Sequence, residues 1–216
     1  MKSQTKIISP SKIWSFTNLY ELKEYRDLLF FMVKREITVI YKQSVLGFGW
    51  AIIRPVFSMI VFSIIFGRLA KVPSDGIPYP IFSYTALVPW TYFSSSITKS
   101  TQSLISSTNI FTKVYFPRII IPLTPVISAL ADFIIALSIV VLLMFYYNIS
   151  LSGNMLWIPF LTTIMVIFSS GIGFWLSAMS IQYRDIRHAI QFLTQLLMYA
   201  APVVWPVTLI TENFGE

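Results

Sequence analysis

The 216 residues of this chain are 56% hydrophobic and only 12% charged, with a mean hydropathy of +0.71, whereas an ordinary soluble domain is about 25% charged. There is no cysteine and a single histidine, His188, which excludes a disulfide framework and disfavours a metal centre. The net charge of +7 comes from basic residues sorted by position, so it indicates membrane topology rather than nucleic-acid binding.

The N-terminal part of the chain predicts an amphipathic helix that follows a polar leader. The leader covers residues 1–20 and the helical pattern covers 21–46. Apolar residues recur there at helical spacing, namely Leu29, Val33, Ile37 and Ile40. A second face is polar, namely Asp27, Lys34, Thr38 and Lys42. Such a helix suits the cytoplasmic membrane surface, and an anchor without a protein partner is the alternative.

Long apolar segments predict the fold class, which is all-α, a polytopic helical membrane protein. Crossing a bilayer takes about 20 helical residues, and lipid offers no hydrogen-bond partner to the backbone. We expect five transmembrane helices within residues 47–210, at 47–67, 80–98, 119–147, 155–181 and 188–210. Residues 211–216 are expected outside the cytoplasm, and we expect that a further segment is missing after them.

The distribution of basic residues predicts a cytoplasmic N-terminus. Residues 1–46 contain eight of the sixteen Lys and Arg residues, and the other predicted inner segments contribute Lys99, Lys113, Arg118, Arg184 and Arg187. The predicted outer segments contain only Arg68 and Lys71. This asymmetry follows the positive-inside rule.

A carboxylate, Asp132, lies near the middle of the third predicted span. A charge there is costly, so it is a functional candidate by default. Structural pairing with Ser128 one turn earlier or with Arg54 of the first span is favoured over a role in proton or ion coupling. The Arg54 side chain is also long enough to place its charge among the lipid headgroups.

Two further patterns have a structural and a functional interpretation. Ser169, Gly173 and Ser177 repeat at four-residue spacing, which permits close helix packing. The aromatic residues cluster towards span ends; interfacial belts explain most of them, although some could stack on sugar faces.

The loop before the third span presents apolar and aromatic residues at 104–116. An exposed apolar patch of this kind is typical of a protein contact, with a re-entrant or interfacial helix as the alternative. The chain has no G-x-x-x-x-G-K-[ST] motif, so ATP-driven work requires a second polypeptide.

Several segments together resemble a known family, namely 41–47 with Trp50 and Pro55, 87–90 with Phe93, KVYFPR at 113–118, Asp132 with Phe133, 183–187, and 202–204 with Pro206. They are similar to the membrane subunit of ABC transporters that export lipid-linked O-antigen, teichoic acid or capsular polymers. The resemblance covers residues 41–210. Members of that family have six spans, one more than the five predicted here.

The resemblance implies a bacterial inner-membrane permease that forms a homodimer and binds two ATP-binding subunits on the cytoplasmic side. ATP and Mg would be bound by those subunits, and this chain would hold no cofactor. Contacts with the ATP-binding subunit are expected from the surface helix and the loop, at Lys34, Lys42, Ser107, Asn109, Phe111, Lys113, Tyr115 and Arg118.

The resemblance also implies a path for a lipid-linked polysaccharide, with candidate residues Arg54, Trp90, Phe93, Asp132 and Tyr199. Arg54 would steer a pyrophosphate headgroup. The alternatives are an ABC permease for a drug or small lipid and a membrane scaffold that transports nothing.

Overall fold

The described part of the chain is built from α-helices and contains no strand. The computed structural model describes residues 22–42, 46–47, 49–108, 116–150, 152–203, 205–206 and 208. The helices are α1 Arg26–Lys42, α2 Gly49–Phe62, α3 Tyr79–Ser106, α4 Ile120–Tyr146, α5 Ile158–Gln182 and α6 Ile186–Ala200. A π-helical segment, Ser63–Leu69, extends α2, and a 3-10 turn, Gly153–Trp157, precedes α5.

Three helical stretches among the described residues are long and apolar enough to cross a bilayer: Gly49–Leu69, Ile120–Tyr146 and Gly153–Gln182. They coincide with the first, third and fourth predicted spans. The second predicted span lies inside α3, a helix of 28 residues that is rich in Ser and Thr and contains Lys99. The fifth overlaps α6, which has 15 residues. The all-helical prediction is confirmed, and the count of five spans stays a prediction.

The core of the molecule lies where α3 packs between α4 and α5. Tyr84, Val88 and Tyr92 of α3 are buried against Val126 and Phe133 of α4. The Tyr92 hydroxyl donates to the Val126 carbonyl at 3.1 Å, and the Tyr92 ring meets the Phe133 ring edge-on at 5.5 Å. The hydroxyl therefore has the partner that a buried polar group requires.

The contact between α3 and α5 is a seam of small residues, as the four-residue spacing in the sequence predicted. A Cβ added to Gly173 would lie 2.5 Å from the Ser100 hydroxyl oxygen. The Ser180 hydroxyl donates across the seam to the Thr101 carbonyl at 2.7 Å. The small side chains thus let the two backbones approach closely, as in many membrane helix pairs.

Helix α1 packs along the first half of α4. Leu22, Tyr25, Leu28, Leu29 and Met32 surround the start of α4, where Ile120 and Ile121 are buried. At the other end of α1, Tyr41 hydrogen-bonds to Asp132 of α4. The apolar side of the predicted amphipathic helix therefore covers a protein surface. The position of α1 relative to a membrane stays a prediction.

Candidate functional site

A cavity of about 300 Å³ lies where the end of α1 meets α2, α3 and α4. Its polar and charged lining residues are Tyr41, Arg54, Thr91, Tyr92, Ser95, Lys99 and Asp132. We refer to this space as the polar cavity. Helices α2, α3 and α4 each contain a single charged residue, Arg54, Lys99 and Asp132 respectively. All three line the polar cavity, which makes it the candidate site.

The Asp132 carboxylate is held by a tyrosine from α1. The Tyr41 hydroxyl donates to Asp132 Oδ1, and burial together with this carboxylate raises the pKa of Tyr41. Because the phenol keeps its proton, it remains a donor to Asp132 at physiological pH. The Ser128 hydroxyl, considered from the sequence as a partner of Asp132, donates instead to the Pro125 carbonyl at 3.2 Å. The hydrogen bond from Tyr41 therefore gives Asp132 a structural partner.

Arg54 contributes a positive charge to the polar cavity without a carboxylate beside it. Its guanidinium carbon lies 5.3 Å from the centre of the Trp50 ring, within the range of a cation–π contact. Among the described residues, Arg54 forms no ion pair with Asp132 within 4.0 Å. A guanidinium with free N–H groups is well shaped to bind phosphate oxygens in pairs.

A second space, of about 440 Å³, lies between α1, the end of α3 and the start of α4. Its polar lining residues are Arg35, Glu36, Lys99, Gln102, Ser103, Ser106, Ser107 and Thr124. We refer to it as the polar cleft. Burial raises the pKa of Glu36, while the Lys99 charge and the Ser128 hydroxyl oppose that rise. Ile40 and Lys99 line both the polar cleft and the polar cavity.

A third space, of about 650 Å³, lies between α3, α4 and α5. It is lined almost wholly by apolar side chains, such as Ile81, Leu137, Val140 and Met165. Phe133 and Val88 separate it from the polar cavity, because both residues line the two spaces. The charged groups are therefore confined to the side of α3 that faces α1 and α2.

The structure brings together two of the five residues predicted for a substrate path, Arg54 and Asp132. Trp90 packs instead with the apolar cluster of Leu87 and Val203. Phe93 stacks on Phe168 of α5, with ring centres 5.8 Å apart. Tyr199 is exposed at the end of α6. A sugar-stacking role for these three aromatic residues stays a prediction.

The residues predicted to contact an ATP-binding subunit fall in two groups. Lys34 and Lys42 are exposed on α1, Arg118 is exposed just before α4, and Ser107 lies in the wall of the polar cleft. Asn109, Phe111, Lys113 and Tyr115 lie outside the described residues. The contact role of the whole set stays a prediction.

Sequence reasoning missed Lys99 and Glu36 as site residues, counting Lys99 only as a topology signal. The sequence nevertheless contains a signal for each of these two residues. Lys99 is the single charge of α3, and Glu36 lies one turn from Val33 and from Ile40, on the apolar face of α1. Among the described residues, no group of three or more His, Cys, Asp or Glu side chains is placed to hold a metal.

Three helical stretches of membrane-spanning length among the described residues are typical of a multi-pass membrane protein. Residues 27–214 match the family model described as ABC-2 type transporter, and the chain belongs to that family. It is 32% identical over 197 residues to an O-antigen export system permease protein, RfbA, of Klebsiella pneumoniae, covering 91% of this chain and 75% of the relative.

Two further relatives have names of the same kind. The RfbA protein of Myxococcus xanthus is 30% identical over 194 residues, covering 89% of this chain and 74% of that protein. The polysialic acid transport protein KpsM of Escherichia coli is 24% identical over 188 residues, covering 83% of this chain and 70% of that protein. The resemblance to polysaccharide-exporting ABC permeases, drawn from the sequence motifs, is confirmed at the level of the family.

Proposed function

We propose that this chain is the membrane-spanning permease subunit of an ABC exporter that moves a lipid-linked, O-antigen-like polysaccharide across the cytoplasmic membrane. The observation that carries the proposal is the match to O-antigen export permeases over about nine-tenths of the chain, at 30 to 32% identity. The permease role follows from the family, and the polymer class follows from the relatives' names.

In this proposal ATP hydrolysis takes place in a separate subunit, which binds ATP and Mg. The sequence has no G-x-x-x-x-G-K-[ST] motif of its own, so the chain lacks that phosphate-binding loop. The ATP-binding subunit would contact exposed cations of α1, Lys34 and Lys42, and the loop that ends at Arg118. Two permease chains would face each other in a homodimer, with their N-termini in the cytoplasm.

The polar cavity would receive the phosphate-bearing end of the lipid-linked substrate. Arg54 has no carboxylate partner among the described residues, whereas the Asp132 carboxylate accepts a hydrogen bond from Tyr41. The cavity lining contains two cations, Arg54 and Lys99, and one carboxylate, Asp132, so its net charge favours an anion. Arginine suits this role because its planar N–H groups match phosphate geometry.

Deletion of the gene tests the function directly. The lipid-linked glycans of the inner membrane and the polymer on the cell surface would be compared before and after deletion. Internal accumulation together with loss of surface polymer is expected. Unchanged glycans would overturn the polysaccharide assignment and favour a drug or small-lipid permease of the same family.

Replacement of Arg54 tests the headgroup site. Arg54→Gln should lower export of the lipid-linked polymer about tenfold or more, because hydrogen bonds to charged groups are among the strongest in proteins. Arg68→Gln is the matched control, since Arg68 is an exposed arginine, like Arg54, on the π-helical extension of the same helix but does not line the polar cavity. Export in cell membranes at equal protein level is the measurement. Equal export by the two variants would contradict the role of Arg54.

A further inference from the structure

Lys99 occupies an unusual position in the wall between two separate polar spaces. It is half-buried and lines both the polar cleft and the polar cavity. Because its flexible side chain borders both spaces, its charge is available to an anion in either one. Ile40, the other residue that the two spaces share, has no charge.

Lys99 is also a cation without a close ion-pair partner. Among the described residues, no Asp or Glu oxygen lies within 4.0 Å of its ammonium nitrogen. Glu36, across the polar cleft, lies near enough for the Lys99 charge to oppose the rise in the Glu36 pKa. A half-buried ammonium is costly unless a counter-charge is close. Glu36 provides that counter-charge without forming a contact ion pair, so the Lys99 ammonium can still bind an incoming anion.

The charges around the polar cavity favour the same kind of ligand. Its lining contains two cations, Arg54 and Lys99, and one carboxylate, Asp132. The lining therefore has one more cation than carboxylates, and no Asp or Glu oxygen lies within 4.0 Å of either cation among the described residues. A phosphate or pyrophosphate group, with several acceptor oxygens, would satisfy both.

We propose that Lys99 receives the phosphate group of the lipid-linked substrate in the polar cleft and passes it to Arg54 in the polar cavity, with Glu36 as the counter-ion that the phosphate displaces. This inference rests on the proposed function and adds a route and two residues to it. The cleft is the entry side, Lys99 is the shared cation, and Glu36 keeps the site selective because an incoming anion must compete with a carboxylate.

Binding of a defined probe tests the role of Lys99. The full chain, purified in detergent with its ATP-binding subunit, would be titrated with geranylgeranyl pyrophosphate and, separately, with geranylgeraniol, which has the same tail and no phosphate. Lys99→Gln should weaken pyrophosphate binding about tenfold and leave alcohol binding unchanged. Lys99→Arg should restore most of the affinity because the charge returns.

Glu36→Gln provides the opposite change and makes the test independent of folding. Removing the competing carboxylate should tighten pyrophosphate binding several-fold, which a merely damaged protein would not show. Lys71→Gln is the matched control, because Lys71 is exposed and lines neither space; its affinity should equal that of the wild type.

Three outcomes would overturn the proposal: unchanged pyrophosphate binding by Lys99→Gln, equal weakening for the pyrophosphate and the alcohol, or full displacement of the probe by phosphatidylglycerol at matched concentration. The last would mean that the site takes ordinary anionic phospholipid. The gene deletion described above is a separate readout. Internal accumulation of polymer together with a failed Lys99 test would leave the exporter function in place and reject this route.

Discussion

One side of α3 is closely packed and the other side borders open, charged spaces. The neighbouring residues Ser100 and Lys99 show the contrast. Ser100 faces the seam with α5, where it lies against Gly173 and donates to the Pro122 carbonyl of α4 at 2.9 Å. Lys99, one residue earlier, lines two cavities and has no ion pair within 4.0 Å among the described residues. The closely packed side fixes α3, so the other side can keep open space and unpaired charge.

The largest expected loss of stability comes from a substitution that widens the seam between α3 and α5. Gly173→Ala should destabilise the protein by about 2 to 3 kcal/mol, because the new Cβ would lie 2.5 Å from the Ser100 oxygen and overpacking of a core is costly. Gly171→Ala is the control, because a Cβ there meets nothing within 4 Å and alanine is the better helix former. Denaturation of the purified protein measures the free energy of unfolding of both variants. Equal stability of the two variants would show that the seam is not tightly packed.

A smaller loss of stability is expected at the contact between α1 and α4, where the Tyr41 hydroxyl donates to Asp132. Tyr41→Phe should cost about 2 kcal/mol, because it leaves the Asp132 carboxylate without its phenol donor. Tyr146→Phe, at a tyrosine that is 77% exposed, should cost nothing measurable. A double-mutant cycle with Asp132→Ala, which removes the acceptor oxygens, checks the pairing. Additive costs would mean that the two side chains do not interact.

The smallest expected effect is a pH dependence at Glu36. Burial raises its pKa above the ordinary value of 4.5, so the folded state binds this proton more tightly than the unfolded state does. The resulting stability is fully present below the unfolded pKa and is lost as pH rises through the raised folded pKa. Glu36→Gln should therefore unfold at a higher temperature than the wild type at pH 7, with the difference shrinking towards pH 4. A difference that grows at low pH would contradict this account.

The helices of the fold were largely predictable because their sequence pattern is strong. Long apolar runs identified the three stretches of membrane-spanning length, Gly49–Leu69, Ile120–Tyr146 and Gly153–Gln182. The spacing of Ser169, Gly173 and Ser177 identified the face of α5 that packs on α3. The second and fifth spans were harder to define, since the Ser and Thr residues of α3 and the short length of α6 weaken the apolar pattern. Serine hydroxyls within a helix can bond to the helix backbone, so a span can be polar in composition without exposing polar groups.

The site was predictable only in part because it depends on which distant residues meet. The sequence marked Arg54 and Asp132 as isolated charges in apolar runs, and the structure places both in one cavity. The sequence alone did not predict that Tyr41, which is 91 residues away along the chain, hydrogen-bonds to Asp132. Trp90 and Phe93 were predicted as path residues through the resemblance to the family, and that role stays a prediction. In the structure Trp90 packs with Leu87 and Val203, and Phe93 stacks on Phe168, as aromatic rings commonly do.

The packing of α1 on α4 has a consequence for hydrophobic mismatch. Helix α4 has 27 residues and is therefore about 40 Å long, whereas the hydrocarbon of a bilayer is about 30 Å thick. A helix that is too long normally tilts or distorts the surrounding lipid. Here Ile120 and Ile121, in the first turn of α4, are already buried beneath apolar residues of α1. The chain thus supplies its own apolar cover for the first turn of α4, which is part of the length that exceeds the hydrocarbon thickness.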